Sequence, residues 1–240
     1  LGFTKNRIQV ALTFDDGYYD NYEFVYPILK ARGIPATFFI VTDYIGRDLP
    51  VWDFEIFYLL NCSDISKIEI QGKYVYRNPL QSKYVFILSI INKIKTLNYF
   101  DRQEFLSTLR KSNNISTPYY FDNRCMDWQQ VRDMSSHGME IGAHSFSHPS
   151  LAAISMDEAM QEIKKSKLDI ENNIGKDCSY FSFPFGSRKD YNQKLINYVK
   201  ECGFQACLLN MHGYNHIKKA AFSLKRIIID EKTNLNHLLG

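Results

Sequence analysis

Hydrophobic residues in this chain fall in short, nearly continuous runs separated by stretches of helical spacing, the pattern of strands buried in a parallel sheet with helices between them. Ile8-Gln9-Val10-Ala11-Leu12-Thr13-Phe14 predicts a first buried strand that stops at the turn-forming Asp15-Asp16-Gly17. Phe24, Ile28 and Ala31 then recur on one face, flanked by Leu29, and predict a helix stopped by Gly33 and Pro35. Ala36 to Val41 predicts a second strand, completing a βαβ unit within about thirty-five residues.

From about Gly46 to Arg124 the alternation lapses. A helix is predicted from Trp52 to Leu60, a hairpin from Ile68-Glu69-Ile70 and Tyr74-Val75-Tyr76 around Gln71-Gly72, and further helices up to Arg110. We read residues 46–124 as a mostly helical insertion, either shaping a substrate groove or simply packing as an appendage. The alternation resumes with a helix over Trp128 to His137 and a strand, Met139 to Ala143, that delivers His144 at its C-terminal end. Ser155-Met156-Asp157-Glu158 is a capping box, and Ala159, Ile163, Ile170 and Ile174 continue that helix to Gly175. A strand over Tyr180 to Phe183, a helix over Tyr191 to Glu201, a strand over Phe204 to Leu209 and a last strand over Arg226 to Ile229 follow. The expected architecture is therefore α/β, a single domain over residues 1–240 with strands alternating with helices as in a β/α barrel.

Composition adds exclusions. With 240 residues, 45% of them hydrophobic and 23% charged, the chain can bury a substantial core. Its 29 basic and 26 acidic residues form no dense basic block, so nucleic acid is not an expected partner. The longest apolar run, Tyr84 to Ile91, is too short for a bilayer, and no signal peptide or spanning segment is predicted. The chain opens on Leu1, so this reading says little about location. Cys62, Cys125, Cys178, Cys202 and Cys207 are scattered and odd in number. They read as free thiols, leaning weakly towards a reducing compartment, and nothing in the sequence speaks to oligomeric state.

Three clusters at predicted strand ends carry candidate chemistry. Thr13-Phe14-Asp15-Asp16-Gly17 sets two adjacent carboxylates after an apolar strand. An Asp-Gly turn is the plain reading, but two neighbouring charges there are costly without a positive partner. His144-Ser145-Phe146-Ser147-His148 spaces two imidazoles four residues apart, and one helical turn would bring both onto one metal ion. The plain alternative is a solvated loop, with Ser145 hydrogen-bonding locally. Phe183-Pro184-Phe185-Gly186 is either a tight turn or a rigid presentation of a backbone N–H to a developing oxyanion.

Together these clusters resemble the polysaccharide deacetylase family, carbohydrate esterase family 4, with its NodB-like domain. Its T-F-D-D-G motif is matched by Thr13 to Gly17 and its H-S/T-x-x-H motif by His144 to His148. Ile34-Pro35-Ala36-Thr37-Phe38-Phe39 and Gly138-Met139-Glu140-Ile141-Gly142 also look like that family's strand entries. The resemblance implies a distorted (β/α) barrel of that type and a metal-dependent hydrolase that releases acetate from N-acetylated sugars of a polysaccharide or oligosaccharide. It implies Asp15 as general base, Asp16, His144 and His148 as metal ligands, and the Phe185 N–H in the oxyanion hole. One divalent ion is implied, zinc by default, with cobalt, nickel or manganese as alternatives. An acetylated glycan is the implied partner, and the cell envelope or the exterior the implied location.

Departures from the pattern keep two other readings open, a non-catalytic carbohydrate-binding relative and a hydrolase of another amide or an O-acetyl ester. Ser182 stands two places before Pro184 where the family commonly has arginine, so the cation that orients the base in that form of the motif is missing. No aspartate-tryptophan motif occurs near Leu208 to Tyr214, and Leu224-Lys225-Arg226-Ile227 replaces Leu-x-Ile-His. The usual histidine general acid is therefore unassigned, with His212 and His237 as substitutes.

Overall fold

The alternation of strand and helix closes into one parallel sheet in the computed structural model of the protein, which describes residues 9–62, 65–112, 124–216, 221–230 and 233. In chain order the strands are β1 (Leu12–Phe14), β2 (Ala36–Ile40), β3 (Lys67–Ile70), β4 (Lys73–Tyr76), β5 (Glu140–Ala143), β6 (Tyr180–Ser182), β7 (Ala206–His212) and β8 (Leu224–Arg226). Six of them pair in the order β1-β2-β5-β6-β7-β8, every pair parallel, while β3 and β4 form a separate antiparallel hairpin. Parallel strands run all their C-terminal ends to one edge, so the residues following β1, β5 and β6 gather there.

The sheet is curled into a half-barrel. Five inter-strand steps of about 4.8 Å would set β1 and β8 roughly 24 Å apart on a flat sheet. Yet Arg226 of β8 touches Asp15, the residue after β1, at 2.7 Å. This is the β/α barrel expected from the alternation, distorted as the resemblance implies and left open between its two outer strands.

Three local expectations fail. The first strand is short and lies at the edge of the sheet, with Val10 and Leu12 exposed, because β1 has a neighbour on one side alone; Ile8 lies outside the described residues. The expected apolar face of the first helix is also wrong. Residues Asn21–Val25 form a π-helical turn leading into α1 (Tyr26–Ala31), so the register shifts: Tyr26 and Leu29 are buried while Phe24 and Ile28 face solvent. The last strand, too, begins two residues earlier than expected.

Between β2 and β5 lie α2 (Trp52–Cys62), the hairpin, α3 (Lys83–Ile94) and α4 (Tyr99–Ser112). Gln71 and Gly72 both take positive φ at the hairpin tip, the primed turn that suits two twisted strands. Trp52, Ile56, Phe86, Ile90 and Leu106 of these helices are fully buried in the same core as Phe38 and Ile40 of β2. Arg110 of α4 pairs through two nitrogens with Glu55 of α2, at 2.5 and 2.7 Å. Farther on, α5 (Trp128–Ser136) and α6 (Met156–Ile174) pack against β5, and α7 (Gln193–Glu201) against β7. The predicted capping box forms: Ser155 accepts from the Glu158 N–H, Glu158 returns to Ser155, and Gly175 ends the helix at φ +68°. All five cysteines are free. Among the described residues no helix is long and apolar enough to cross a membrane.

Candidate metal centre

Four residues at the C-terminal edge of the sheet adopt the left-handed conformation that side-chain-bearing residues avoid. Asp16 (φ 72°), Ser145 (64°), His148 (63°) and Phe185 (59°) all lie in the three sequence clusters; among the described residues the fifth such residue is Gln71. Each costs of order 1–3 kcal/mol and persists where surrounding packing enforces it, which is typical of sites that do chemistry. After β1 the chain turns sharply, with the Gly17 N–H donating to the Asp15 carbonyl at 3.0 Å. A Cβ on Gly17 would stand 2.9 Å from Ile40, so the turn requires glycine.

This turn aims Asp16 at both histidines. Its Oδ1 lies 3.5 Å from His144 Nε2 and 3.4 Å from His148 Nε2, and one donor atom from each of the three residues falls within 4.8 Å of the others. A tetrahedral ion with bonds of about 2.1 Å separates its donors by roughly 3.4 Å, so the spacing suits one cation. The two imidazoles do not meet through a helical turn, as the four-residue spacing led us to expect. They meet through a loop in which Ser145 and His148 are left-handed and Ser145 Oγ accepts the His148 N–H at 2.9 Å.

Electrostatics point the same way. His144 Nδ1 lies 2.8 Å from the Ser182 carbonyl, which can only accept, so Nδ1 carries the proton and Nε2 presents its lone pair. Burial depresses the pKa of both histidines, that of His148 strongly, with His144, Arg102 and Lys95 adding repulsion there; both are held as neutral imidazole, the ligand form. Burial, then the charges of Asp53 and Asp15, push the Asp16 carboxyl well above the usual carboxylate range. Three half-buried carboxyls around two neutral imidazoles form a donor set short of positive charge, a set that could hold a cation.

Asp15 differs from its neighbour. Burial favours its neutral form, but His144 and Arg226 outweigh that and hold its pKa below the ordinary value. Arg226 Nη1 and Nη2 donate to its two oxygens at 2.7 Å each, a fork-to-fork pair. The orienting cation that the third cluster lacks at Ser182 is thus present, delivered from β8 across the opening of the barrel. The Ser182 hydroxyl is buried beside Asp15 without a hydrogen bond of normal geometry.

The Phe185 ring lies 4.7 Å from the His148 ring, and among the described residues its N–H has no hydrogen-bond partner. A Cβ on Gly186 would come within 2.4 Å of the Asn210 nitrogen, so this turn too is pinned against backbone. His212 is exposed at the end of β7, the ladder partner of Arg226, and pairs with none of the site carboxylates; His237 lies outside the described residues.

Several residues of the centre escaped the sequence reading. Arg226 carried a faint signal, a cation at the first position of a predicted strand. Asp53, Lys95 and Arg102 carried none, since each reads as an ordinary charge on a helix. Arg102 is fully buried and donates to Ser147 Oγ at 2.5 Å and to the carbonyls of Leu97 and Ser147, while Glu162 accepts the Ser147 N–H and hydroxyl.

The family model for polysaccharide deacetylase matches residues 3–72 and 98–207. A Bacillus subtilis relative, YxkH, described by that same family name, is 20% identical over 218 residues, which is 91% of this chain and 50% of YxkH. The chain thus spans about half the length of this curated relative. Among solved structures, the Streptococcus pyogenes deacetylase PplD in complex with acetate superposes with a TM-score of 0.58 at 18% identity, covering 95% of this chain and 68% of PplD. A polysaccharide deacetylase from Bacillus cereus gives 0.57 at 14% identity over 95% of this chain and 49% of its own. A de-N-acetylase from Aggregatibacter actinomycetemcomitans gives 0.55 at 20% identity, covering 95% and 72%. At such identities the structures attest the fold, and the family match spans most of the sequence: the chain belongs to the polysaccharide deacetylase family.

Proposed function

We propose that this chain is a metal-dependent hydrolase that removes acetyl groups from N-acetylated sugars of a polysaccharide or oligosaccharide, with residues 46–124 inserted in a single catalytic domain. The observation that carries the reading is the convergence of Asp16, His144 and His148 beside an Asp15 clamped by Arg226. Asp16, His144 and His148 would hold one divalent ion, zinc by default. When bound, such an ion acts as a Lewis acid towards the acetyl carbonyl and acidifies nearby water.

The chain's own residues supply the rest. Asp15, kept ionised by Arg226, accepts the proton of the water that adds to the carbonyl carbon. The unpartnered N–H of Phe185 donates to the oxygen that gains charge, a contribution of a few kcal/mol for one such donor. The C–N bond then breaks as the departing nitrogen takes up the proton that Asp15 had accepted, releasing acetate and a free amino sugar. Adjacent aspartates thereby take different roles because their surroundings differ, Asp15 facing a guanidinium and Asp16 two imidazoles.

The test is metal content measured alongside acetate release from N-acetylglucosamine oligomers. His144→Ala is expected to lose the metal, and Asp15→Asn to keep it and lose turnover. Hydrolysis of an O-acetyl ester or another amide, with none of the oligomers cut, would overturn the substrate class. Glycan binding without any hydrolysis would overturn the enzymatic reading.

A further inference from the structure

The two histidines of the centre are not equally supported. His144 Nδ1 has the Ser182 carbonyl as its partner. His148 Nδ1 is buried and has no hydrogen bond, and so is Asp53 Oδ1, 3.8 Å away. Two buried polar atoms left unpaired face each other, in a protein interior where such atoms are almost always satisfied. Closing the gap to about 2.8 Å, a normal hydrogen-bond length, takes a side-chain adjustment of roughly one ångström.

We infer that Asp53 is the outer-sphere partner of His148: its carboxylate accepts a hydrogen bond from the Nδ1–H, turns Nε2 towards the cation, and makes the segment between β2 and β5 part of the metal centre. This rests on the metal-binding reading given above. Asp53 lies on the Nδ1 side of the ring, whereas Asp16 and His144 converge on the Nε2 side, and the donor set within 4.8 Å includes Asp16, His144 and His148 but not Asp53. Asp53 is therefore a positioning residue rather than a ligand. Arg102, the buried guanidinium nearby, donates its hydrogen bonds to Leu97 and Ser147, so it leaves Asp53 available.

The fold aims this carboxylate. Asp53 sits in the first turn of α2, and the preceding Trp52 donates its indole N–H to the His148 carbonyl at 2.9 Å. Arg102 of α4 stacks over Trp52 and holds Ser147, and the carbonyl of Lys95, at the end of α3, accepts the Ser150 N–H at 2.9 Å. Three helices thus grip residues 147–150, around a histidine whose own backbone is strained at φ 63°. A carboxylate behind a metal-bound imidazole fixes its tautomer and strengthens it as a ligand, and loss of such a partner typically lowers metal affinity about 10- to 100-fold.

The test compares zinc affinity, by competition with a chromophoric chelator, for the unmodified protein, Asp53→Asn and Asp53→Ala, with ring-nitrogen NMR of the metal-free proteins. We expect Asp53→Ala to bind zinc about 10- to 100-fold more weakly and Asp53→Asn, which keeps an acceptor oxygen, to fall in between. His148 should show a protonated Nδ1 in the unmodified protein and a mixture of tautomers in Asp53→Ala, with no fall in the melting temperature of the metal-free form. Equal zinc affinity and an unchanged His148 tautomer in both variants would overturn the inference while leaving the metal centre intact. Failure of the unmodified protein to bind zinc or any other divalent ion would overturn both.

Discussion

Arg226 offers the sharpest test of how this centre works. It makes two charge-assisted hydrogen bonds of 2.7 Å to Asp15, with side chains 14% and 27% exposed. Hydrogen bonds to charged groups contribute about 1.5–3 kcal/mol each, and breaking a buried pair costs about 3–5 kcal/mol. Because Asp15 retains some contact with water, which can solvate it once the guanidinium is gone, we take about 2–3 kcal/mol for Arg226→Met. At 1.36 kcal/mol per tenfold this is a fall of roughly 30- to 160-fold in kcat/KM for acetate release. The loss should lie mainly in kcat, since in the proposed mechanism the guanidinium acts on the base. The sign in pH is also set: Arg226 holds the Asp15 pKa down, so its removal moves the acid limb of the kcat/KM profile to higher pH. Arg226→Lys, a point charge without the fork, should fall between the two. Metal content should stay unchanged. If Arg226→Met keeps its acid limb and loses less than about threefold, against the 30-fold expected, the guanidinium does not support the base.

Metal uptake should release protons from the carboxyls around Asp16, whose pKa is raised, and none from the imidazoles, which are already neutral; affinity should climb with pH. Calorimetry in buffers of different ionisation heat measures this, and a heat independent of buffer would count against it. Arg102→Met strands Glu162, a buried acid reached through Ser147, and should cost about 3–5 kcal/mol in chemical denaturation; a change below about 1 kcal/mol, the size of one ordinary hydrogen bond, would contradict a fully buried network. Burial alone would raise the Asp190 pKa, but hydrogen bonds from Lys95, Ser187 and Ser150 hold it below the ordinary value. Its contribution to stability is therefore complete above about pH 4, the unfolded aspartate pKa, and fades as pH falls through the folded value. Asp190→Asn should be less stable than the unmodified protein at neutral pH and show a flatter loss in acid, and parallel acid curves would refute this.

What the sequence determined by itself is local. The Ser155–Glu158 capping box, the Gln71-Gly72 hairpin turn and the runs of β2 and β6 are read within a few residues, since propensity, capping and burial period act over one or two turns of chain. The three strand-end clusters were legible for the same reason, and parallel pairing then carries every strand end to one edge. The tertiary structure decided what joins across distance. Arg226 meets Asp15 from 211 residues away because the twisted sheet curls until its outer strands approach, and no window of sequence contains that curvature. A π-helical turn of a few residues reversed which face of the first helix is buried. Asp53 became part of the centre through the packing of Trp52 and Arg102, so its role belongs to the assembled core rather than to its place in a helix.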